Sequence, residues 1–127
     1  MPEAAAGRRI IATRSVPFHE YEMEGPQQRD MSYLPLSYRK DTREGCYLMR
    51  MDPGAVTIAH DHPGFEEFMV LEGELIDGDG RRLRAGDFVS YEPGTHHNSR
   101  TESGCVLIVF EWGAARAEAG RRLGPMR

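Results

Sequence analysis

The sequence predicts an all-β fold in the form of a jelly-roll β-barrel. Strand-like segments are short and closely spaced, turn residues separate them, and no stretch has a long helical period. Among all-β folds, the jelly roll is favoured here because it closes around an interior that can hold a ligand. The length of 127 residues favours a single domain over residues 1–127, with a loose N-terminal arm over about residues 1–12 and a tail over about residues 113–127.

The first half of the chain contains three candidate strands. Residues 10–13 have the composition of a short edge strand, and residues 31–38 alternate loosely between apolar and polar positions. Pro35 confines the second of these to an edge or a bulge, because proline cannot donate to a strand ladder. Residues 46–51 form the third, which ends at Asp52-Pro53-Gly54.

The second half contains the longest predicted strand, residues 66–77, which we expect to bend at Gly73. Asp77-Gly78-Asp79-Gly80 is a hairpin turn signal, because Asp and Gly accept the positive φ angles of such turns. Residues 81–84 then pair back, residues 88–91 form another strand, and residues 105–112 form the last one.

Composition excludes several classes of function. The net charge of −4 gives no basic surface for nucleic acid or an anionic membrane. The longest apolar run, residues 106–110, is too short to span a bilayer, and the N-terminus lacks the apolar core of a signal peptide. We therefore expect a cytoplasmic protein. In that compartment Cys46 and Cys105 are expected to be free thiols.

A histidine cluster marks the candidate site. His60 and His62 are two positions apart, so in an extended strand their imidazoles point the same way, about 7 Å apart along the strand. Glu66 follows the turn at Pro63-Gly64 and can return beside them as an oxygen ligand. Three imidazoles, if His97 joins, and one carboxylate suit one divalent transition metal ion such as Fe, Mn, Ni or Zn.

Two alternatives stay open at the level of the residues alone. His-x-His on a surface strand is common without any metal. In addition, Glu67 adjoins Glu66 and His96 adjoins His97. Strand alternation puts Glu66 on one face and Glu67 on the other, but it does not say which face is the inner one.

The spacing of these residues resembles the two motifs of the cupin superfamily over about residues 46–112. The first motif is complete, and the second departs from the pattern: Glu92 replaces its first proline, and Thr101 stands where the family has an asparagine. The resemblance implies a cupin jelly roll and the metal ligands His60, His62, Glu66 and His97. The matching positions are Gly54, His60, His62, Glu66 and Gly73 for the first motif, and Gly86, Gly94 and His97 for the second.

The resemblance implies two functions of different classes. Small cupins with this ligand set include metal-dependent dioxygenases and some isomerases, so we expect a metal-dependent small-molecule enzyme of dioxygenase type. The stretch from His60 onward is also similar to the zinc-binding cupin domain of ChrR-type anti-sigma factors. The alternative is therefore a stand-alone zinc-binding sensor or small-ligand-binding cupin without catalysis. These residues lack the Cys-x-x-Cys zinc ligands with which such proteins hold a sigma factor, so we expect no sigma-factor binding.

We further expect a small-molecule ligand or substrate, no nucleic-acid partner, no membrane, and a homodimer formed through the N-terminal strands. The dimer is expected because a strand at residues 31–38 would leave an exposed edge. Side chains that share the parity of the ligands should line the barrel, with four further candidates among large apolar side chains. These expected lining residues are Val56, Ile58, Phe68 and Val70, then Tyr47, Met49, Met51 and Trp112.

Overall fold

Antiparallel β-strands make up most of the regular structure in the computed structural model, which describes residues 5–22 and 28–114. Their bounds within these residues are β1 (His19–Tyr21), β2 (Gln28–Pro35), β3 (Gly45–Met51), β4 (His60–Asp61), β5 (Phe65–Asp77), β6 (Arg82–Arg84), β7 (Phe88–Tyr91), β8 (His96–His97), β9 (Ser99–Arg100) and β10 (Cys105–Trp112).

The main sheet has the strand order β1-β2-β3-β10-β5-β6, and β7 and β9 also pair with β5. A separate two-stranded ribbon, β4 with β8, carries His60 and His97. The long strand β5 pairs with four other strands and therefore connects most of the sheet. The sheet curls on itself, and the all-β jelly roll predicted from the sequence is confirmed.

The core lies between the inner faces of the curled sheet. Alternating side chains of β2, β3, β5 and β10 point inward, and the apolar ones among them are almost fully buried. Burying such a side chain stabilises the fold by about 1.5–3 kcal/mol, so the apolar layer is the main source of stability. Its central members are Met31, Tyr33, Tyr47, Met49, Met51, Phe68, Val70, Leu107 and Val109.

A β-bulge at Leu71 reverses the alternation of β5. Val70 pairs with Leu107 and Glu72 pairs with Val106, so Leu71 is the extra residue. Gly73 follows with φ +76, and a Cβ atom there would lie 2.0 Å from the carbonyl oxygen of Gly104. The expected bend at Gly73 thus corresponds to this irregularity. Beyond it Leu75 and Asp77 point into the barrel, where Leu75 lines the inner cavity and Asp77 contacts His97.

Two expectations about the N-terminal half differ from the structure. Residues 10–13 form no strand. Strand β1 instead pairs with β2 on the side away from β3, so β2 is an inner strand. Pro35 lies beyond the part of β2 that pairs with β1, so its missing N–H removes no bond to that strand. Strand β1 is therefore the edge strand at this end of the sheet, and the homodimer stays a prediction.

Val56 was expected to line the barrel because it shares the parity of the ligands, but its segment forms only an isolated bridge between Val56 and Arg100. Val56 is consequently 50% exposed and does not line the barrel. The expectations for residues 1–4 of the arm and 115–127 of the tail lie outside the described residues. Over residues 5–22 and 28–114, no helix is long and apolar enough to cross a membrane.

Candidate metal centre

The ribbon of β4 and β8 sorts four polar side chains into an inner and an outer pair. His60 is directly opposite His97, and Asp61 is opposite His96. The first pair points into the barrel and is mostly buried, whereas the second is exposed. His96 Nδ1 lies 2.6 Å from Asp61 Oδ1 on that outer surface.

The turn after the ribbon returns the chain to the same point. Gly64 crosses the end of β10 so closely that a Cβ atom would lie 2.5 Å from the carbonyl oxygen of Trp112. Only glycine fits this approach without displacing backbone. Strand β5 then begins, and its second residue, Glu66, points inward beside His60 and His62.

Four side chains converge here, each offering one ligand atom, and these atoms lie within 4.8 Å of one another: His60, His62, Glu66 and His97. Glu66 Oε2 lies 3.2 Å from His62 Nε2 and 3.5 Å from His60 Nε2. Glu66 Oε1 lies 3.6 Å from His97 Nε2, which is too far for a hydrogen bond. The structure thus brings together the four residues that the sequence selected.

The Nδ1 atoms of His60 and His62 are engaged by acceptors outside the cluster. His60 Nδ1 donates to the carbonyl oxygen of Ile58 at 2.8 Å. His62 Nδ1 lies 2.8 Å from Thr95 Oγ1, and that hydroxyl donates to the carbonyl oxygen of Glu92. Thr95 therefore accepts the proton of His62 Nδ1. In their neutral forms both rings turn an Nε2 lone pair toward the centre.

His97 has a carboxylate partner instead. Its Nδ1 lies 3.0 Å from Asp77 Oδ1, and the hydroxyl of Tyr91 donates to Asp77 Oδ2. The ring of Tyr91 stacks on the imidazole with 4.1 Å between centroids and an interplanar angle of 28°. His97 is therefore fixed at its edge and across its face.

At the centre of the cluster, hydrogen-bond acceptor atoms face one another without a proton between them. The Nε2 atoms of His60 and His62 are 3.2 Å apart although both carry lone pairs in this arrangement. Among the described residues, His97 Nε2 is a buried polar atom without a hydrogen-bond partner. A divalent cation would satisfy all of these atoms at once, and imidazole with carboxylate suits a first-row transition metal. The residues present therefore fit a metal ion.

Charge within the cluster shifts two pKa values. Burial alone would raise the pKa of Glu66, but its interactions with His60, His62 and His97 hold it well below its ordinary value. Burial would lower the pKa of His97, but Glu66 and Asp77 together raise it. The site accordingly favours an ionised Glu66, which is the form that binds a cation.

The neighbouring alternatives lie outside the cluster. Glu67 points to the outer face of the barrel, where its Oε1 accepts a hydrogen bond of 2.8 Å from Trp112 Nε1. His96 is likewise on the outer surface beside Asp61. Neither cysteine belongs to the cluster, and both are free thiols, as the sequence predicted.

A small cavity adjoins the cluster inside the barrel. It offers about 20 Å³ to the centres of water-sized molecules, which is room for about one water. Of the eight expected lining residues, Ile58, Phe68, Tyr47 and Met49 line it. Val70 and Met51 belong to the core instead, and Trp112 is 45% exposed. The lining residues are Tyr21, Tyr47, Met49, Thr57, Ile58, His60, Glu66, Phe68, Leu75, His97, Ser99, Leu107 and Val109.

Sequence reasoning missed the residues that hold the imidazoles. Asp77 was interpreted only as the start of a hairpin turn, and strict alternation from Glu66 would have put it on the outer face. The bulge at Leu71 moves it inward. Tyr91 pairs directly with Glu66, so a correct pairing of β5 with β7 would have indicated it. Thr95 carried no comparable signal.

Solved structures similar to this chain share its fold. An RmlC-like cupin from Shewanella frigidimarina NCIMB 400 is 20% identical, with a TM-score of 0.67 and coverage of 83% of this chain and 91% of that one. A candidate acetylacetone dioxygenase from Methylibium petroleiphilum PM1 is 11% identical, with a TM-score of 0.65 and coverage of 93% and 98%. At these identities the likeness shows the fold alone.

A third similar structure is the complex of Rhodobacter sphaeroides SigE with the anti-sigma ChrR. A chain of that complex is 21% identical, with a TM-score of 0.62; the match covers 84% of this chain and 52% of that one. The curated proteins that were compared include no match. The family of the ChrR cupin-like domain, however, matches residues 7–115, which is most of the sequence. The chain therefore belongs to the ChrR cupin-like domain family.

Proposed function

We propose that this chain binds one divalent transition metal ion, Fe, Mn, Ni or Zn, through His60, His62, Glu66 and His97. One observation carries the proposal: the ligand atoms lie within 4.8 Å of one another, and each imidazole has its Nδ1 engaged outside the cluster. This arrangement fixes the ring orientation and leaves Nε2 for the metal.

We further propose that the metal serves a small-molecule reaction of dioxygenase type. Four protein ligands leave positions open on a five- or six-coordinate ion, and such an ion supplies Lewis-acid or oxygen-binding chemistry. The chain's own contribution is a mostly apolar chamber. Phe68, Leu107 and Val109 exclude bulk water from the side of the cluster that faces the core. A space of this size suits dioxygen, and a larger organic substrate would reach the cluster from the side on which His60 is 14% exposed.

The second candidate function is a zinc-binding sensor or small-ligand-binding cupin without catalysis. Membership of the ChrR cupin-like family favours it, as does the likeness to a chain of the SigE–ChrR complex. Three imidazoles and one carboxylate can also close a four-coordinate zinc site with no open position. The two functions share the same ligands and differ in the metal and in its remaining coordination.

Elemental analysis of protein purified without added metal tests the shared part of the proposal. We expect about one transition-metal ion per chain in the native protein and in the control variant His96→Ala. His62→Ala should lose the metal, because it removes one of the three imidazole ligands. Native protein that neither retains nor takes up Fe, Mn, Ni or Zn would refute the proposal.

Oxygen uptake separates the two functions. Protein loaded with Fe²⁺ is assayed with an oxygen electrode in the presence of small diketones, flavonols or thiols. Uptake that requires one of these compounds and disappears in Glu66→Gln supports the enzyme. Tightly held zinc, together with no uptake by the Fe²⁺-loaded protein, supports the sensor.

A further inference from the structure

The three imidazoles of the cluster differ in what holds their outer nitrogen. His60 uses a backbone carbonyl, and His62 uses the hydroxyl of Thr95. His97 alone among them uses a carboxylate, Asp77 Oδ1, at 3.0 Å. A carboxylate increases the electron density on the opposite nitrogen more than a neutral acceptor does. His97 therefore has the acceptor best suited to strengthen a metal bond.

The Asp77 carboxylate is itself held in place. Tyr91 donates its hydroxyl to the second carboxylate oxygen, so each oxygen has one partner. The side chain of Asp77 is only 17% exposed, which limits competition from water for these bonds. Because Tyr91 also stacks on His97, the tyrosine fixes both the imidazole and the group that orients it.

The backbone of Asp77 closes the hairpin turn without using the side-chain carboxylate. Its N–H donates to the carbonyl of Arg81 at 2.9 Å, and its carbonyl accepts from Gly80 at 2.8 Å, so the hairpin closes through main-chain atoms. The turn does not need the side chain. Placing the carboxylate inward instead depends on the bulge at Leu71.

We propose that Asp77 and Tyr91 are positioning residues for His97: the Asp77 carboxylate accepts the Nδ1 proton of His97, aims its Nε2 at the metal and strengthens that bond. This inference rests on the proposed metal site. It adds that a hydrogen-bonded pair, the Asp77 carboxylate on β5 and the Tyr91 hydroxyl on β7, tunes the third imidazole, so affinity for the metal depends on two residues that do not touch it.

The test uses the full chain, stripped with a chelator and reloaded with Zn²⁺ or Co²⁺ alone. Zn²⁺ affinity is measured by competition with a chromophoric chelator, and the Co²⁺ protein is examined by visible absorption. Asp77→Asn should weaken Zn²⁺ binding by about 10–100-fold, the range typical of outer partners of ligands. It should also shift the Co²⁺ bands, a signature that a purely structural role for Asp77 would not produce.

Two further variants complete the design. Tyr91→Phe keeps the stacked ring and removes only the hydroxyl, so it should weaken binding less than Asp77→Asn while shifting the Co²⁺ bands in the same direction. Asp79→Asn is the matched control. Asp79 lies in the same hairpin, and its carboxylate accepts a hydrogen bond from the backbone N–H of Arg81. Its replacement should leave the Zn²⁺ affinity and the Co²⁺ spectrum unchanged.

The outcomes separate this inference from the proposed function. If the native chain binds neither Zn²⁺ nor Co²⁺, both are overturned. If it binds them and Asp77→Asn matches Asp79→Asn in affinity and spectrum, the positioning role alone is overturned. Should Asp77→Asn fail to fold by circular dichroism, Tyr91→Phe decides: unchanged affinity and spectrum would overturn the role, and weakened binding with shifted bands would support it.

Discussion

The inner and outer faces of β5 carry similar residues in different surroundings. Glu66, Phe68 and Val70 point inward, while Glu67 and Met69 point outward. Glu66 lies among three histidines and is mostly buried, whereas Glu67 bonds an exposed tryptophan. Two adjacent glutamates thus differ in role because strand alternation places one of them in the barrel. Position, and not residue type, decides which carboxylate can bind a metal.

Exchanging each glutamate for glutamine is the sharpest test of this comparison. Glu66→Gln should weaken Zn²⁺ binding by about 100-fold or more, beyond the usual effect of an outer partner, because it removes the anionic ligand. Glu67→Gln should change affinity by less than about 3-fold, since its charge lies outside the cluster. Competition with a chelator measures both. A larger loss for Glu67→Gln would show that the assignment of faces is wrong.

Side chains on the inner and outer faces of the sheet should also differ in how much they contribute to the free energy of unfolding. Leu107, which pairs with Val70, is 2% exposed, whereas Leu71 on the bulge is 42% exposed. We expect Leu107→Ala to lower the free energy of unfolding by about 3 kcal/mol, through lost burial and a cavity. Leu71→Ala should lower it by about 0.5 kcal/mol. Denaturant unfolding of chelated protein checks this, and equal losses would contradict the inner and outer assignment.

The sequence was sufficient for what depends on local pattern. Turn residues and short apolar runs predicted most strands from β3 onward, and the spacing of His60, His62, Glu66 and His97 predicted a cluster that the structure assembles. Strand alternation accounts for His60 and His62, which are two residues apart, and the turn at Pro63-Gly64 brings Glu66 back beside them.

The rest depends on pairing that local pattern does not encode. The one-residue bulge at Leu71 inverts which side chains face inward, so the inward direction of Asp77 could not be derived from Glu66. Strand β1 was missed because three residues give almost no periodic signal. Val56 was placed in the lining on the assumption of a regular strand, which its segment does not form. Each of these depends on a tertiary partner.

Removing the metal should distinguish the contribution of the cluster to stability from that of the apolar core. A ligand present at about 100 times its Kd adds about 2.7 kcal/mol of stability, so chelation should lower Tm by about 10 °C. The strand spectrum in far-UV circular dichroism should persist, because the buried side chains of β2, β3, β5 and β10 hold the sheet without the ion. A chelated protein that is unfolded at room temperature would instead make the metal structural.

The dependence of stability on pH should have opposite signs in the chelated and metal-loaded proteins near neutrality. His97 has a pKa raised above 6.5 in the folded chain, because Glu66 and Asp77 outweigh the effect of burial. Without metal, its stabilising contribution is complete below pH 6.5 and is lost as pH rises through the raised value. With metal, the histidines must be neutral, so stability is lost as pH falls and protons displace the ion.

Thermal melts between pH 6 and pH 8 check this smaller effect. The Tm of the chelated protein should fall as pH rises across this range, and the Tm of the loaded protein should rise or stay level. Glu66, whose pKa is lowered, should contribute at lower pH: its stabilisation is present above its ordinary value of 4.5 and is lost on acidification. Parallel slopes in the two preparations would contradict the assignment of His97 to the site.

The stacking of Phe65 on Trp112 gives the protein an internal optical probe. The rings are 4.0 Å apart and nearly parallel, at 8°, and Phe65 immediately precedes Glu66. Trp112 is the single tryptophan of the sequence and is bonded to Glu67. The tryptophan emission of the protein therefore comes from one side chain, which stacks on the residue next to the ligand Glu66. A paramagnetic ion such as Ni²⁺ that quenches this emission would let loading be followed in real time on the unlabelled protein.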